Sequence, residues 1–366
     1  QVAYGHGHPV TSGLDSVDYF LSSTLLETDA FARTRDREHR QNQNVAAHFA
    51  SLDGPPHLVG FQAKKLAINT SYHGDGVQDH TEQVVLLETL TTYFLTPAAP
   101  AVDPQIEQQW LQKWATHGLV FPSGAEGKAW TGVKEPGTAE GAVAITWPVL
   151  ACLQHSKKLH PAWDPYLQAA LEAIGPQGRI VMLEGARKAA GLRWERKMGS
   201  ELVARIVFLP FMPHEEALSI VQRSTAVLDT FPWGMGVTAF EAFSVCTPVL
   251  TVPSMTAVLQ LTLGQYRKMG LENEPGLIIS SPKEMAAAVD ALHRHPTGQK
   301  ETTDTDGQRR DDDGSSSTES VRRSSGGTSM ALREMICRSK RRLFEDWEAV
   351  EELGRFLERA VCAALL

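Results

Sequence analysis

From about residue 143 onward, short apolar runs alternate with segments whose apolar residues recur at helical spacing. The runs are "GAVAITWPVLAC", "RIVML", "RIVFLP", "AVLD", "PVLTV" and "LIIS". Between them lie "HPAWDPYLQAALEAIG", "ARKAAGLRWERKMGSE", "HEEALSIVQRS", "TAFEAFSVC", "AVLQLTLGQYRKMG" and "SPKEMAAAVDALHRH". The pattern predicts strand and helix in strict turn, hence an α/β fold with a doubly wound parallel sheet. Gly175 stands where a helix C-cap belongs, and Ser281 where an N-cap belongs. Ligands of such sheets bind outside the carboxyl ends of the strands, in the βα loops.

The first part of the chain is less regular. A strand at Val2–Tyr4 leads into a Gly/His/Pro loop, and "VDYFLSS" and "TEQVVLLETLTTYFLTP" read as further apolar, strand-like segments. Residues 31–76 are polar and turn-rich, which predicts a surface insertion. "PQIEQQWLQKWATHG" reads as a short helix. Residues 297–330 hold almost no large apolar side chain and are expected to be disordered. Beyond them, Leu332, Met335, Ile336, Leu343, Trp347, Val350, Leu353, Leu357 and Val361 keep a helical stripe. The expected division is a partial first half at 1–148, a ligand-binding second half at 149–296, the disordered run, and a C-terminal helix at 331–366 that packs back on the fold. The chain begins at Gln1 with a strand and an immediate loop, which reads as the middle of a domain and so as a fragment.

Composition narrows the function classes. With 366 residues, 42% of them hydrophobic, there is enough chain for two cores. A net charge of -8 gives little electrostatic support to wrapping nucleic acid, though a local basic pocket for a phosphorylated small molecule is allowed. Cys152, Cys246, Cys337 and Cys362 form no CxxC pair, and free thiols, mostly buried, are expected, with a reducing compartment as the corollary. His6 and His8 have no carboxylate or Cys at ligand spacing, so no metal site is expected. No signal peptide and no apolar run of bilayer length is present.

Three loops carry candidate chemistry. In "LDTFPWGMGVTAFEAFSVC" an apolar run stops at Asp229, Gly234 and Gly236 bracket a turn, and a helix starts near Val237 and Thr238. Free N–H groups and the positive end of the helix dipole there suit an anion. The Thr238 hydroxyl adds a donor, and Glu241, one turn on, can reach a ribose hydroxyl. A plain tight βα turn gives the same pattern. In "QHSKKLHP" Lys158 follows the first strand of the parallel sheet and faces the same crevice as a point charge suited to a diphosphate. The bland alternative is that Lys157 and Lys158 are solvated. In "FMPHEEAL" His214 either touches a ligand or merely opens a helix.

Taken together these segments resemble the catalytic region of the O-linked N-acetylglucosamine transferases and their SPINDLY-type relatives. The resemblance runs in the family's order through "GHPVTSGLDSVDYFLSS", "HTEQVVLLETLTTYF", "QHSKKLHPAWD", "RIVFLPFMPHEEAL", "LDTFPWGMGVTAFEAFSVCTPVLTVP" and "YRKMGL". It implies a GT-B fold of two Rossmann-like halves. It also implies inverting transfer of a sugar from a nucleotide donor, UDP-N-acetylglucosamine or, as in SPINDLY-type relatives, GDP-fucose, to a protein Ser or Thr, with no essential metal. By the same resemblance Lys158 binds the donor diphosphate and stabilises the leaving group. Gln154 or His155 is the neighbouring contact, and Met212 and His214 meet base and ribose. Gly236, Val237 and Thr238 form the phosphate turn, and Glu241 is the ribose carboxylate.

Some positions depart from the family. Val237 replaces a Thr, Ala217 stands where the animal enzymes carry a base-stacking His, and "SMTAVLQL" lacks the arginines of the bacterial relatives. The family's upstream segment and its tetratricopeptide repeats have no counterpart in this sequence. These departures support a second expectation, a GT-B-like relative that serves as a binding module. A weaker third is a transferase acting on a small molecule or a lipid-linked acceptor, the latter kept open by the basic run "RSKRR" at 338–342.

Overall fold

The structure, a computed structural model, describes residues 2–4, 14, 16–26, 83–97, 102–121, 148–253, 261–293 and 329–364. The expected insertion at 31–76, the His6/His8 pair and all of the expected disordered run except its last two residues lie outside the described residues.

Two parallel sheets organise what is described. The first holds β1 (Val2–Tyr4), β2 (Tyr19–Ser23) and β3 (Gln83–Leu87) in that order, with Tyr19 opposite Gln83 and Ser23 opposite Leu87. The second holds β4 (Val149–Cys152), β5 (Arg179–Leu183), β6 (Ile206–Leu209), β7 (Ala226–Leu228) and β8 (Val249–Leu250) in the order β6-β5-β4-β7-β8. Its strands are short continuous apolar runs rather than alternating ones, because helices cover both faces. The segment "LIIS", expected as a strand, is reduced to one parallel bridge between Ile278 and Thr251. It extends the β8 edge by two hydrogen bonds, from Thr251 N–H to Leu277 O and from Ile279 N–H to Thr251 O.

The helices follow the sequence pattern, and local chemistry sets their ends. α1 (Pro104–Thr116) starts with proline in its first turn, and the Asp103 carboxylate accepts from Gln105 N–H at 2.7 Å. α2 (Asp164–Ala173) stops ahead of Gly175, whose φ of +72° suits only glycine at no cost. α3 (Glu184–Met198), α4 (Ser200–Val203), α5 (His214–Arg223), α6 (Val237–Ser244), α7 (Leu261–Met269) and α8 (Pro282–His293) complete the second half. Ser281 caps α8 as its position predicts, accepting from Glu284 N–H.

The core of the second half is anchored by buried tryptophans whose indole N–H groups all find acceptors. Trp194 donates to Asp164 Oδ1 at 2.8 Å, Trp163 to the Asp229 carbonyl at 2.9 Å, and Trp114 to Glu216 Oε1 at 2.9 Å. A buried Trp offers a large apolar surface and one donor, so each bond removes a desolvation cost that would otherwise be paid in full.

The C-terminal segment is not one helix. It divides into α9 (Ser329–Ser339), a 3-10 turn at Lys340–Arg342, and α10 (Trp347–Ala364). Ser329 and Met330, expected to be disordered, open α9. The basic residues explain the break. Arg333 donates to Ser224 O, Lys340 to Ser244 O and Arg342 to Met269 O. These carbonyls lie at the C-terminal ends of α5, α6 and α7, where orphan acceptors and the negative end of the dipole favour a cation. A single straight helix would not deliver three side chains to three helix ends. Lys340 and Arg342 of "RSKRR" are thus turned onto the protein.

The cysteines correct another expectation. Cys246 and Cys337 form a disulfide, with Cα atoms 5.1 Å apart and a sequence separation of 91. Cys152 is a buried free thiol, as expected, and Cys362 is free and exposed. The bridge ties the residue just beyond α6 to α9.

Candidate functional site

Strand order places the site. Chain progression runs β4, β5, β6 in one direction across the sheet and then β7, β8 in the other. β4 and β7 are therefore neighbours across the topological switch point, where the connections leave in opposite directions and a crevice opens at the carboxyl ends. The loop after β4 carries Gln154, His155 and Lys158, and the loop after β7 carries the turn at 234–238. The structure brings these two loops into direct contact.

Lys158 is half-buried, and its ammonium donates to Gln154 Oε1 at 3.0 Å and to the Gly234 carbonyl at 2.8 Å. An ammonium has three N–H groups, so one remains for a ligand. Gln154 is buried and bridges the loops: its Nε2 donates to Thr238 Oγ1 at 3.0 Å. The Thr238 oxygen is thereby used as an acceptor, which leaves its O–H proton to be donated. α6 begins at Val237 with Gly236 as N-cap, and no side chain caps it. Its first two N–H groups, those of Val237 and Thr238, have no intrahelical partner, whereas that of Ala239 bonds back to the Gly236 carbonyl at 3.1 Å. Val237 itself is 52% exposed at this helix start and offers no hydroxyl.

The hub beneath the turn is Asp229, which the sequence marks only as the end of an apolar run. Asp229 is fully buried. Its Oδ1 accepts from Met235 N–H at 2.6 Å and from Thr230 N–H at 2.8 Å. Its Oδ2 accepts from the Thr251 and Thr262 hydroxyls, both at 2.8 Å. Burial raises the Asp229 pKa above the ordinary carboxylate range, while these hydrogen bonds and the Lys158 charge pull it back. Four donors and a nearby cation offset part of the cost of burying this carboxyl group. One signal was present in the sequence, an Asp closing an apolar run, but its partners lie on three separate segments. Behind the turn, Gln265 of α7 is buried and places its Nε2 3.4 Å from the Gly236 carbonyl.

The remaining predicted residues lie along the same rim. His214 opens α5, with Nδ1 3.6 Å from Glu241 Oε1 of α6. Glu241 is raised above its ordinary range by burial, partly offset by His214. Met212 is buried in an apolar cluster with Leu209 and Ile220, against which Ala217 packs, so its thioether belongs to the core. His155 is exposed, and its Nδ1 accepts from Lys157 N–H at 3.1 Å, which caps the 3-10 turn that presents Lys158. Lys158 is lowered from the ordinary lysine range by burial, against the pull of Asp229. Cys152, under the same crevice, is pushed up to about 12 by burial and the nearby Asp229, so it is a neutral thiol. Among the described residues no group of three or more His, Cys, Asp or Glu side chains is arranged to hold a metal ion. Nor is any of their helices long and apolar enough to cross a membrane.

This geometry can be set beside known proteins. The sequence matches no protein-family model and no curated protein. Among solved structures, a mutant of the Thermobaculum terrenum O-GlcNAc transferase is similar with a TM-score of 0.55 at 16% identity, covering 96% of this chain and 46% of its own. The pneumococcal O-GlcNAc transferase GtfA, in complex with UDP and GlcNAc, matches at a TM-score of 0.40 and 12% identity, over 95% of this chain and 46% of its own. Anabaena Alr3699/HepE, in complex with UDP and glucose, matches at 0.40 and 11%, over 76% and 57%. The first likeness defines the fold as GT-B, an α/β architecture with parallel sheets. At such identity it speaks to the fold alone. The chain spans about half the length of these proteins.

Proposed function

We propose that the chain is the nucleotide-sugar-binding part of a protein O-glycosyltransferase that moves N-acetylglucosamine from UDP-N-acetylglucosamine to Ser or Thr hydroxyls with inversion. The observation that carries this reading is the meeting of Lys158, Gln154 and Thr238 beside the uncapped start of α6, at the switch point of the sheet. In this reaction the acceptor oxygen bonds to the sugar's anomeric carbon as the bond to the diphosphate breaks, and negative charge gathers on the departing diphosphate. The third N–H of Lys158, the Thr238 hydroxyl and the first N–H groups of α6 are preorganised donors for that charge. Glu241 accepts from a ribose hydroxyl, with His214 alongside. The order of motifs along the sequence, together with the GT-B fold, supports this donor and acceptor class over other chemistries of the same fold.

Calorimetric titration of the chain with UDP and, separately, GDP, in EDTA, tests the reading. Micromolar binding of UDP is the expected result. Binding of GDP alone redirects the proposal to a GDP-fucose donor. Binding of neither, by a folded chain, supports the second reading, a GT-B-like binding module, which the bare Val237 at the helix start favours.

The same titration repeated across pH gives a second expected result. Binding needs Glu241 ionised and Lys158 protonated. Glu241 is raised, so affinity falls on the acid side at a higher pH than an ordinary carboxylate would give. Lys158 is lowered, so affinity falls on the alkaline side earlier than for an ordinary lysine. Glu241→Gln is expected to flatten the acid limb and leave the alkaline one. An acid limb unchanged in that variant removes Glu241 from the ribose contact.

A further inference from the structure

α7 (Leu261–Met269) touches the candidate site on one side and the end of the first sheet on the other. Thr262 and Gln265, three residues apart, share a face of this helix, and so do Gly264 and Arg267. The two pairs are offset by two residues, about 200° around the axis, so they lie on opposite sides. The first pair holds the turn. The Thr262 hydroxyl donates to Asp229 Oδ2 at 2.8 Å, and Asp229 Oδ1 accepts from Met235 N–H at 2.6 Å. Gln265 places its Nε2 3.4 Å from the carbonyl of Gly236, the N-cap of α6. The second pair is set against the loop after β2. Arg267 Nη1 donates to the Leu25 carbonyl at 2.6 Å. Gly264 lets the helix approach that loop closely: a Cβ there would come within 2.4 Å of Leu26 Cδ2 and 3.2 Å of the Leu25 carbonyl oxygen.

That loop is fastened to the first sheet. Thr24 N–H donates to Leu87 O at 2.9 Å, Leu25 N–H to Ser23 Oγ at 3.0 Å, and the Ser23 hydroxyl in turn to Thr89 O at 2.6 Å. The Gln265 amide is held less tightly. Gln265 is buried, and its Oε1 has no hydrogen-bond partner among the described residues. No second hydrogen bond fixes the amide, so its place follows from where α7 lies. We propose that Gln265 and Arg267 are positioning residues of the donor site: the first sheet sets the place of α7 through Arg267 and Gly264, and α7 sets the turn at 234–238 through Thr262 and Gln265. The inference rests on the nucleotide-sugar reading above. It gives the first half of the fold a part in donor affinity without any contact to the donor.

The test combines titration with UDP and GDP and amide hydrogen exchange at Met235, whose N–H is bonded inside the turn. Arg267→Leu and Gln265→Leu are each expected to weaken binding of whichever nucleotide the parent chain takes by about 3- to 10-fold, the worth of a hydrogen bond between neutral or singly charged partners. Arg267→Leu is also expected to speed exchange at Met235. Arg267→Lys, which keeps a donor for Leu25 O, is expected to recover most of the affinity. Gly264→Ala forces the same contact apart without removing a charge, and is expected to give both effects should Arg267→Leu fail to fold. The double variant Arg267→Leu, Gln265→Leu is expected to lose no more than the weaker-binding single variant, because both act through α7. A loss equal to the product of the two single losses overturns the proposal, since independent sites are additive in free energy. Unchanged Met235 exchange in Arg267→Leu and Gly264→Ala, in a chain that binds nucleotide, overturns the positioning role and leaves the nucleotide-sugar reading standing. A parent chain that binds neither nucleotide overturns both.

Discussion

Replacing Lys158 by alanine is expected to weaken UDP binding by about 10- to 100-fold, the worth of one charged hydrogen bond. Sugar transfer by the whole protein is expected to fall further, by about a hundredfold or more again, because charge on the diphosphate is greatest in the transition state. The fold should survive. Lys158 is half-buried and sits in a loop, and its removal leaves Gln154 still able to donate to Thr238. Circular dichroism and the urea midpoint check the fold, while titration and a transfer assay check the site. Lys158→Arg keeps a charge but not its compact geometry between Gln154 Oε1 and Gly234 O, and is expected to recover only part of the binding. Turnover equal to the parent in Lys158→Ala removes this residue from the mechanism.

The second large effect belongs to the Cys246–Cys337 bridge. Closing a loop of 91 residues restricts the unfolded chain, and in the chain-entropy picture this stabilises the folded state by about 2–5 kcal/mol. Urea unfolding of the oxidised chain is expected at a clearly higher midpoint than in the presence of a dithiol reductant. Cys337→Ser is expected to unfold at the reduced midpoint under both conditions. Coincident midpoints for the oxidised and reduced parent would mean that the bridge does not form in solution. Cys246 lies two residues beyond α6, so the bridge also anchors the far end of the helix whose near end opens the candidate site.

Much of the second half was legible along the chain because its signals are local. Apolar runs of four or five residues, helical spacing, and glycine or serine at the ends suffice to place β4 to β7, α2, α3 and α5 to α8, whereas the one helix read across Gly199 is divided there into α3 and α4, at a φ of +86°. Lys158 and the turn at 234–238 were legible for the same reason, as loops that must open on one side of a parallel sheet. What escaped was non-local. Asp229 announces itself only as a polar residue ending an apolar run, and its role depends on Thr251 and Thr262 arriving from later segments. The pairing of Cys246 with Cys337 has no spacing signature, since the two meet only because α9 crosses the end of α6. The break after Ser339 was hidden because the apolar stripe continues through it. Leu343 and Phe344, just beyond the 3-10 turn, are buried, so hydrophobic period alone could not distinguish a break from a continuing helix. The strand expected at "LIIS" shrank to a bridge because only Thr251 is available to pair with it.

α10 has a consequence for the order in which the chain folds. Its Glu352 carboxylate accepts from Glu88 N–H at 2.9 Å and from Thr89 N–H at 3.0 Å, just beyond β3, while Phe356 is buried against Leu21 and Val85. Partners 264 residues apart close the edge of the first sheet. On a ribosome the chain emerges from its N-terminus, at about 5–20 residues per second. The contacts of α10 with β2 and β3 can therefore form only tens of seconds after those strands have left the ribosome, and they are among the last of the described structure to be made.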